Sequence, residues 1–138
     1  MKLVTFDGGQ GPRAGALVAD EIVELTAAGA AISVLELIRS GADGLTMAAA
    51  AVTRGGQRVA LAGVRLLPPI PNPGKVLCCG INYKSHADEN PKAVMPTEPF
   101  FFAKMPSSVA GPEDQIRVPP MSKQRPVLLK YPSLAQRT

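Results

Sequence analysis

Four prolines within six residues divide this chain and limit what it can fold into. Pro68, Pro69, Pro71 and Pro73 each fix one backbone angle, lack an amide hydrogen and disfavour helix in the preceding residue. The segment is therefore a stiff connection with few helical options. The sequence predicts a small α+β domain over residues 1–66 and a different unit after it.

Short apolar runs and helical spacing alternate before the prolines. Residues 3–6, 14–19 and 22–25 are apolar runs separated by turn-forming residues, and they predict strands, the last two as a hairpin. Residues 8–15 are rich in glycine but lack the Gly-Lys-Ser/Thr ending of a phosphate-binding loop. We therefore expect a turn there and no nucleotide site.

Two helices are expected next. Apolar residues recur at helical spacing over residues 34–38, with Thr26 or Ser33 as the cap and Gly41 beyond the end. Asp43 can cap a second helix that runs through the alanines to Gly55 and Gly56. Residues 59–67 are then extended.

The positive charge of the chain is confined to its last residues. Residues 1–114 carry 10 basic and 11 acidic side chains, whereas residues 115–138 carry 5 basic and no acidic ones. Aromatic residues are not interleaved with the basic ones, and no motif that reads DNA or RNA is present. The excess charge indicates a solvated tail, and we expect no nucleic-acid partner.

The two cysteines and the apolar runs predict where the protein works. Cys78 and Cys79 are adjacent, and neighbours in a strand face opposite ways, so this spacing excludes a CxxC-type metal or redox site. Small buried side chains in a reducing compartment are the expected alternative. No run reaches the roughly 18 to 20 apolar residues that span a bilayer, and residues 1–6 are too short for a signal peptide. We expect a cytoplasmic, soluble protein with no membrane partner.

The segment after the prolines holds the only histidine. Residues 75–81 and 100–103 predict short strands, and Ser85 can cap one or two helical turns that carry His86 and Glu89. Residues three apart share a helix face, so the carboxylate can orient the imidazole, which can take a proton from water. On spacing alone, a surface pair explains His86 and Glu89, and Lys104 is equally well a solvated lysine.

A series of residues in this segment carries a family resemblance. They are Pro71, Pro73, Lys75, Val76, Leu77, Cys78, Gly80, Asn82, Tyr83, His86, Ala87 and Glu89, then Pro96, Pro99, Phe102, Lys104, Ser107, Ser108, Gly111 and Asp114. This pattern resembles the fumarylacetoacetate hydrolase family. Residues 3–67 are also similar, more diffusely, to the small N-terminal domain of two-domain members. The resemblance covers about residues 1–121.

The resemblance implies an α+β fold in three parts. Residues 1–66 correspond to the small N-terminal α+β domain. Residues 67–121 correspond to the incomplete beginning of the mixed β-sandwich roll of the catalytic domain. Residues 122–138 are a basic tail outside the pattern.

The resemblance also implies an activity. Family members are metal-dependent enzymes that hydrolyse C–C bonds of acylpyruvates and diketo acids, or are related isomerases, hydratases and decarboxylases. Their Mg or Mn ion is a Lewis acid for the substrate's oxo group. His86, oriented by Glu89, would activate water, and Asn82, Lys104 and Ser107 would bind the substrate. A small oxo or diketo carboxylic acid and a homo-oligomer are the implied partners.

The chain departs from the family at the metal ligands. A hard divalent ion binds carboxylate oxygens, and the family has an Asp-x-Glu-x-Glu strand after this point, but no Asp or Glu follows Asp114. We expect the Mg or Mn ligands to be absent from this chain and the tail to come from a reading-frame change or early termination. Two functions follow: an enzyme of this type, or a truncated inactive remnant that oligomerises or binds through open strand edges.

Overall fold

The computed structural model describes residues 1–27, 30–81 and 96–115. Within those limits the chain forms two compact units. The first unit comprises residues 1–71 together with the segment from residue 110, and the second comprises residues 72–109. Helices and antiparallel strands together confirm the predicted α+β class.

The first unit carries most of the regular structure. Its elements are β1 (Lys2–Asp7), β2 (Pro12–Val18), β3 (Glu21–Glu24), β4 (Thr26–Ala27), β5 (Ala30–Ala31), α1 (Val34–Arg39), α2 (Gly41–Arg54), β6 (Arg58–Ala60), a 3-10 helix (Leu61–Gly63) and β7 (Arg65–Leu67). The second unit contains β8 (Val76–Cys79), β9 (Phe101–Lys104) and a 3-10 helix (Pro106–Ser108).

Five strands of the first unit form one strongly curled antiparallel sheet. The strand order is β6-β3-β2-β1-β7, so the two edge strands are consecutive in sequence and joined by only four residues. In a flat sheet these edges would lie about 19 Å apart, whereas Ala60 and Arg65 can be separated by at most about 18 Å of fully extended chain. The connection includes a 3-10 helix and is shorter still. The sheet must therefore curl until its edges approach.

The curl gives the sheet two apolar faces. One face packs against the helices, in a cluster formed by Ala14, Ala16, Leu25, Val34, Leu37 and Ala48. The other lies inside the curl, where Val4, Phe6 and Ile22 contact side chains from residues 59–66. Alternation along each strand sends neighbouring residues to opposite faces, so β1 and β2 each contribute to both clusters.

Helix α1 begins where the sequence predicts. Ser33 is its N-cap: the hydroxyl accepts a hydrogen bond from the Glu36 amide, and the Glu36 carboxylate accepts one from the Ser33 amide. This reciprocal pair satisfies two amides that helix geometry leaves without partners. Thr26, the alternative cap, is wrong because it lies in β4.

The start of α2 differs from the prediction. The helix begins at Gly41, directly after the Ser40 that ends α1, and Asp43 lies in its first turn instead of at the cap. Its C-terminus is as expected, because Gly55 has the left-handed conformation that ends helices. The prediction that Asp43 caps α2 is therefore wrong. The N-cap of α2 is Ser40, which makes no side-chain capping hydrogen bond.

The glycine-rich segment is part turn and part strand. The Asp7 carboxylate accepts hydrogen bonds from the amides of Gly9 and Gly11, at 2.7 and 3.1 Å, and both glycines have positive φ. The predicted turn therefore ends at Gly11, and Gly15 lies inside β2. A Cβ on Gly15 would come within 3 Å of the Ile22 side chain, so this glycine lets two strands' side chains meet inside the curl.

The second unit is a two-stranded antiparallel sheet. The register runs from Val76 opposite Lys104 to Cys79 opposite Phe101, which confirms both predicted strands. Cys78 and Cys79 have no disulfide and are half-buried, so the expectation of buried cysteines is wrong. A sheet of only two strands leaves part of each cysteine side chain exposed to solvent.

Candidate functional site

Three of the five predicted site residues lie outside the described part of the chain. They are Asn82, His86 and Glu89. The pairing of the imidazole with the carboxylate therefore stays a prediction from their spacing. The other two, Lys104 and Ser107, belong to the second unit.

Lys104 ends strand β9 with its side chain exposed. Its ammonium nitrogen lies 5.5 Å from the centroid of the Phe102 ring, within the range of a cation–π interaction. The ring attracts the charge but accepts none of its N–H hydrogen bonds. Lys104 can therefore be oriented by Phe102 and still donate to an anionic ligand.

Ser107 lies three residues beyond, on the short 3-10 helix. Two backbone hydrogen bonds hold this turn, from the Ser108 amide to Met105 and from the Val109 amide to Pro106, at 2.9 and 3.1 Å. The Ser107 side chain is exposed. A cation and a hydroxyl thus follow each other at one end of the second unit, a combination that suits a carboxylate.

Gly111 and Asp114, which complete the family pattern, lie in the first unit. Asp114 accepts a hydrogen bond from the Gly111 amide at 2.7 Å with Oδ2 and one from Arg65 at 2.5 Å with Oδ1. The Gly111 amide, followed by Arg65, lowers the pKa of the Asp114 carboxyl below its ordinary 3.8. This carboxylate stabilises the loop after the second unit, and both its oxygens are engaged.

Sequence reasoning missed a second ion pair in the first unit. Glu24 is nearly buried, and its Oε1 accepts a hydrogen bond from Arg13 at 2.6 Å. Glu24 lies opposite Gly15 in the β2–β3 ladder, so Arg13, two residues from Gly15, is its diagonal neighbour on the same face. The alternation of side chains along β2 indicates that Arg13 and Gly15 share a face. It identifies Glu24 as the partner of Arg13 only when the β2–β3 register is known.

Two clefts open beside this ion pair. A cleft of about 450 Å³ is lined by Glu24, Thr26, Ala51, Arg54, Gly55, Gly56 and Gln57. A smaller one of about 100 Å³ is lined by Phe6, Gly8, Gln10, Arg13, Glu24, Gln57 and Val59. Neither contains a predicted catalytic or substrate-binding residue.

The described residues do not fit a divalent metal ion. Within residues 1–27, 30–81 and 96–115, no group of three or more His, Cys, Asp or Glu side chains lies close enough to hold one. Asp114 and Glu24 are each bound by an arginine. A hard ion needs several oxygen ligands in one place, which this part of the chain does not offer.

The length of the helices is relevant to the expectation that the protein has no membrane partner. In the part of the chain that the structure describes, no helix has the length and apolar character needed to cross a membrane.

Two family profiles match the chain. Residues 1–69 match the N-terminal domain described as Rv2993c-like, and residues 75–129 match the fumarylacetoacetate (FAA) hydrolase C-terminal domain. The interval between them falls on the proline segment. The second match continues into residues 122–129, which were predicted to belong to the tail, and the domain boundaries stay a prediction.

Curated relatives are similar over most of this chain. Oxaloacetate tautomerase fahd2, mitochondrial, from Xenopus laevis is 34% identical over 130 residues, which are 90% of this chain and 40% of the relative. Fumarylacetoacetate hydrolase domain-containing protein 2 homolog from Dictyostelium discoideum is 34% identical over 86% of this chain and 41% of its own length. The chain thus spans about two fifths of the length of these relatives.

A solved structure shares the fold. Maleylpyruvate hydrolase from Sphingobium sp. SYK-6, in complex with manganese (II) ion and pyruvate, superposes with a TM-score of 0.62 at 31% identity. The likeness covers 87% of this chain and 43% of that one. With an Rv2993c-like N-terminal part followed by sequence of the hydrolase C-terminal domain, this chain belongs to the fumarylacetoacetate hydrolase family.

Proposed function

We propose that the chain carries the activity of an enzyme acting on small oxo or diketo carboxylic acids. The observation that supports this most is its 31–34% identity, over most of its length, to a maleylpyruvate hydrolase and an oxaloacetate tautomerase. The acids in both names carry an oxo group beside a carboxylate. C–C bond hydrolysis and keto–enol tautomerisation are the two reactions proposed here.

Both reactions need a group that accepts a proton. In hydrolysis, water loses a proton as its oxygen bonds to the carbonyl carbon; the C–C bond then breaks, and the carbon that leaves as an enolate takes up a proton. In tautomerisation, a proton is removed from the carbon next to the carbonyl and a proton is added to the carbonyl oxygen. His86 is the proposed base, and Glu89 is proposed to orient the imidazole and stabilise its charged form.

The remaining predicted residues are proposed to bind the substrate. The Lys104 ammonium is exposed and oriented by Phe102, and a cation there suits the substrate carboxylate. The Ser107 hydroxyl and the Asn82 side chain would supply neutral hydrogen bonds. A homo-oligomer and a cytoplasmic location also stay proposals for this chain.

A second candidate function rests on the metal ligands. The described residues do not fit a Mg or Mn ion, and no Asp or Glu follows Asp114. A chain without these ligands is proposed to be catalytically inactive and to act as a binding or oligomerising module. Binding of Mg or Mn, which is expected from the family, therefore discriminates between the two functions.

An activity screen on the purified chain tests the first proposal. Oxaloacetate tautomerisation and acylpyruvate hydrolysis are followed by ultraviolet absorbance, with and without millimolar Mn²⁺ or Mg²⁺. We expect His86→Ala to lower any catalysed rate about 10²-fold or more, and Glu89→Gln to lower it less. Glu98→Gln, which changes an exposed carboxylate of the second unit, is the matched control and should have no effect.

Calorimetric titration with Mn²⁺ tests the second proposal. Absence of binding, together with no rate above the uncatalysed one, would reject the enzyme and support the binding module. Metal binding together with a rate that His86→Ala abolishes would reject the inactive module. A catalysed rate that His86→Ala leaves unchanged would reject the role of the imidazole.

A further inference from the structure

We propose that the larger cleft of the first unit binds a free amino acid. Its walls carry both signs of charge, and this combination suits a ligand that has an ammonium and a carboxylate. None of the described residues in its lining is predicted to act on the substrate. Amino-acid binding is therefore independent of the proposed enzymatic activity.

The cleft opens where α2 ends and β3 loses its pairing with β6. A backbone hydrogen bond from the Glu24 amide to the Gln57 carbonyl, at 2.8 Å, extends the β3–β6 ladder by one residue. Thr26 then pairs with β5 instead, while Gly55 and Gly56 begin the connection from α2 to β6. The space between them has a volume of about 450 Å³, within the roughly 300–1,000 Å³ typical of small-molecule sites.

Arg54 supplies the positive charge of the cleft. It lies in the last turn of α2, and its Nε donates a hydrogen bond to the Ala50 carbonyl at 3.3 Å. Among the described residues, no acceptor binds its two terminal nitrogens and no carboxylate pairs with it. A guanidinium with both terminal nitrogens available binds a carboxylate through two parallel hydrogen bonds. The Thr26 hydroxyl and the Gln57 side-chain amide line the same cleft and can donate to the same group.

The end of α2 supplies negative charge on the other side. The last carbonyl groups of a helix have no partner within it and carry a partial negative charge, which stabilises a nearby cation. Gly55 and Gly56, which end α2, line the cleft. The carbonyl end of the helix therefore lies beside the space that a ligand would occupy.

Glu24 is a second negative group in the lining. Its side chain is only 7% exposed, and its Oε1 accepts a hydrogen bond from Arg13 at 2.6 Å. No described residue donates to its Oε2, yet no buried side-chain oxygen of the described part lacks a hydrogen-bond partner. Oε2 is therefore open to solvent, and Glu24 lines both clefts. An ammonium is the group that such an oxygen binds most strongly.

This pair of charges disfavours a ligand of one sign. A simple carboxylate is attracted by Arg54 but repelled by the helix end and by Glu24, and a simple amine meets the reverse. An amino acid satisfies both sides, because its ammonium and carboxylate are attached to one carbon and fit within one cleft. The side chain of Ala51, also in the lining, is small and leaves room for that of the ligand.

Amide nuclear magnetic resonance of the full chain tests this site. The probes are L-alanine, L-serine and L-phenylalanine, with propionate and ethylamine as analogues of alanine that lack the ammonium or the carboxylate. We expect at least one amino acid to shift the amides of Gly55, Gly56 and Gln57 saturably, and both analogues to bind about tenfold more weakly or worse. Shifts confined to Lys104 and Ser107 would instead indicate binding in the second unit and would overturn the assignment.

Three variants and a control identify the groups responsible. Arg54→Gln should raise the dissociation constant about tenfold or more, and Arg54→Lys less, because it keeps the charge but loses the planar fork. Glu24→Gln should weaken the amino acid but not propionate. Arg39→Gln, in the last turn of α1, is the matched control and should change nothing.

Circular dichroism verifies that each variant is folded. Absence of saturable shifts with all three amino acids would overturn amino-acid binding at this cleft. Propionate binding as tightly as alanine would do so too, since it would reduce the site to one for simple carboxylates. Binding insensitive to Arg54→Gln would exclude the guanidinium as the carboxylate's partner and with it the site.

Discussion

The Asp114 carboxylate links two parts of the first unit that are distant in sequence. It accepts hydrogen bonds from the Gly111 amide and from Arg65, and both donors favour its charged form. Its pKa is therefore lowered from 3.8. A group with a lowered pKa adds stability that is complete above its unfolded-state pKa and is lost as pH falls through the folded-state value.

This sign gives a prediction for the Gly111 amide. Its nuclear magnetic resonance chemical shift should follow the titration of the Asp114 carboxyl, with a midpoint below the ordinary pKa of 3.8. Asp114→Asn should abolish this transition, since the neutral amide side chain does not titrate. Asp20→Asn, in the exposed β2–β3 turn, is the control and should leave it in place. A transition centred above 3.8 would contradict the assigned hydrogen bonds.

For the Asp114 contact, the sequence indicated one residue but not its partner. Gly111 and Asp114 are visible as a local pattern, but the partner Arg65 is 49 residues away, on strand β7. Arg13 and Glu24 show the same limit, because their contact depends on the β2–β3 register. Local motifs identify a side chain that needs a partner, whereas long-range strand pairing decides which partner it obtains.

At the scale of elements, the Ala19–Asp20 turn contains backbone strain. Ala19 is exposed and has φ +53°, a left-handed conformation that costs a non-glycine residue about 1–2 kcal/mol. Ala19→Gly removes this strain but adds about 0.5–1 kcal/mol of unfolded-state entropy, so we expect a net gain near 0.5 kcal/mol in the free energy of unfolding. Chemical denaturation measures it. Ala60→Gly, at φ −65°, should instead lose stability.

The α1–α2 corner shows why local rules predicted one helix start and missed the next. Ser33 and Glu36 carry their signal in a fixed spacing of three residues. Gly41 follows α1 at once and has φ +57°, so the turn is made by the backbone. Gly44 then approaches α1, where a Cβ would lie within 3 Å of the Leu37 carbonyl oxygen. This close contact between helices cannot be read from propensity.

Gly44→Ala tests that contact. Helix propensity alone predicts a gain of about 1 kcal/mol for this change, whereas the clash with Leu37 backbone predicts a loss of about 1–3 kcal/mol. We expect the loss, measured by urea denaturation. Gly63→Ala is the control, because no atom lies within 4 Å of its Cβ position, and it should change stability little. A stabilised Gly44→Ala variant would contradict the described packing.

At the scale of the whole molecule, burial is distributed unevenly along the chain. The buried apolar residues of the described part all lie between Val4 and Ala48, and residues 72–81 and 96–109 contain no buried residue. The apolar periodicity predicted the strands and helices on both sides of the prolines. It could not predict which strands obtain a core, because that depends on the curl created by the short connection between β6 and β7.

The rates of amide hydrogen exchange should therefore differ between the two units. In dilute solution, amides of β8 and β9 should exchange through local opening and be far less protected than those of β1, β2 and β3, which bury the core. If β8 and β9 in a dilute sample were protected as strongly as β2, the second unit would possess stability that its exposed side chains do not explain.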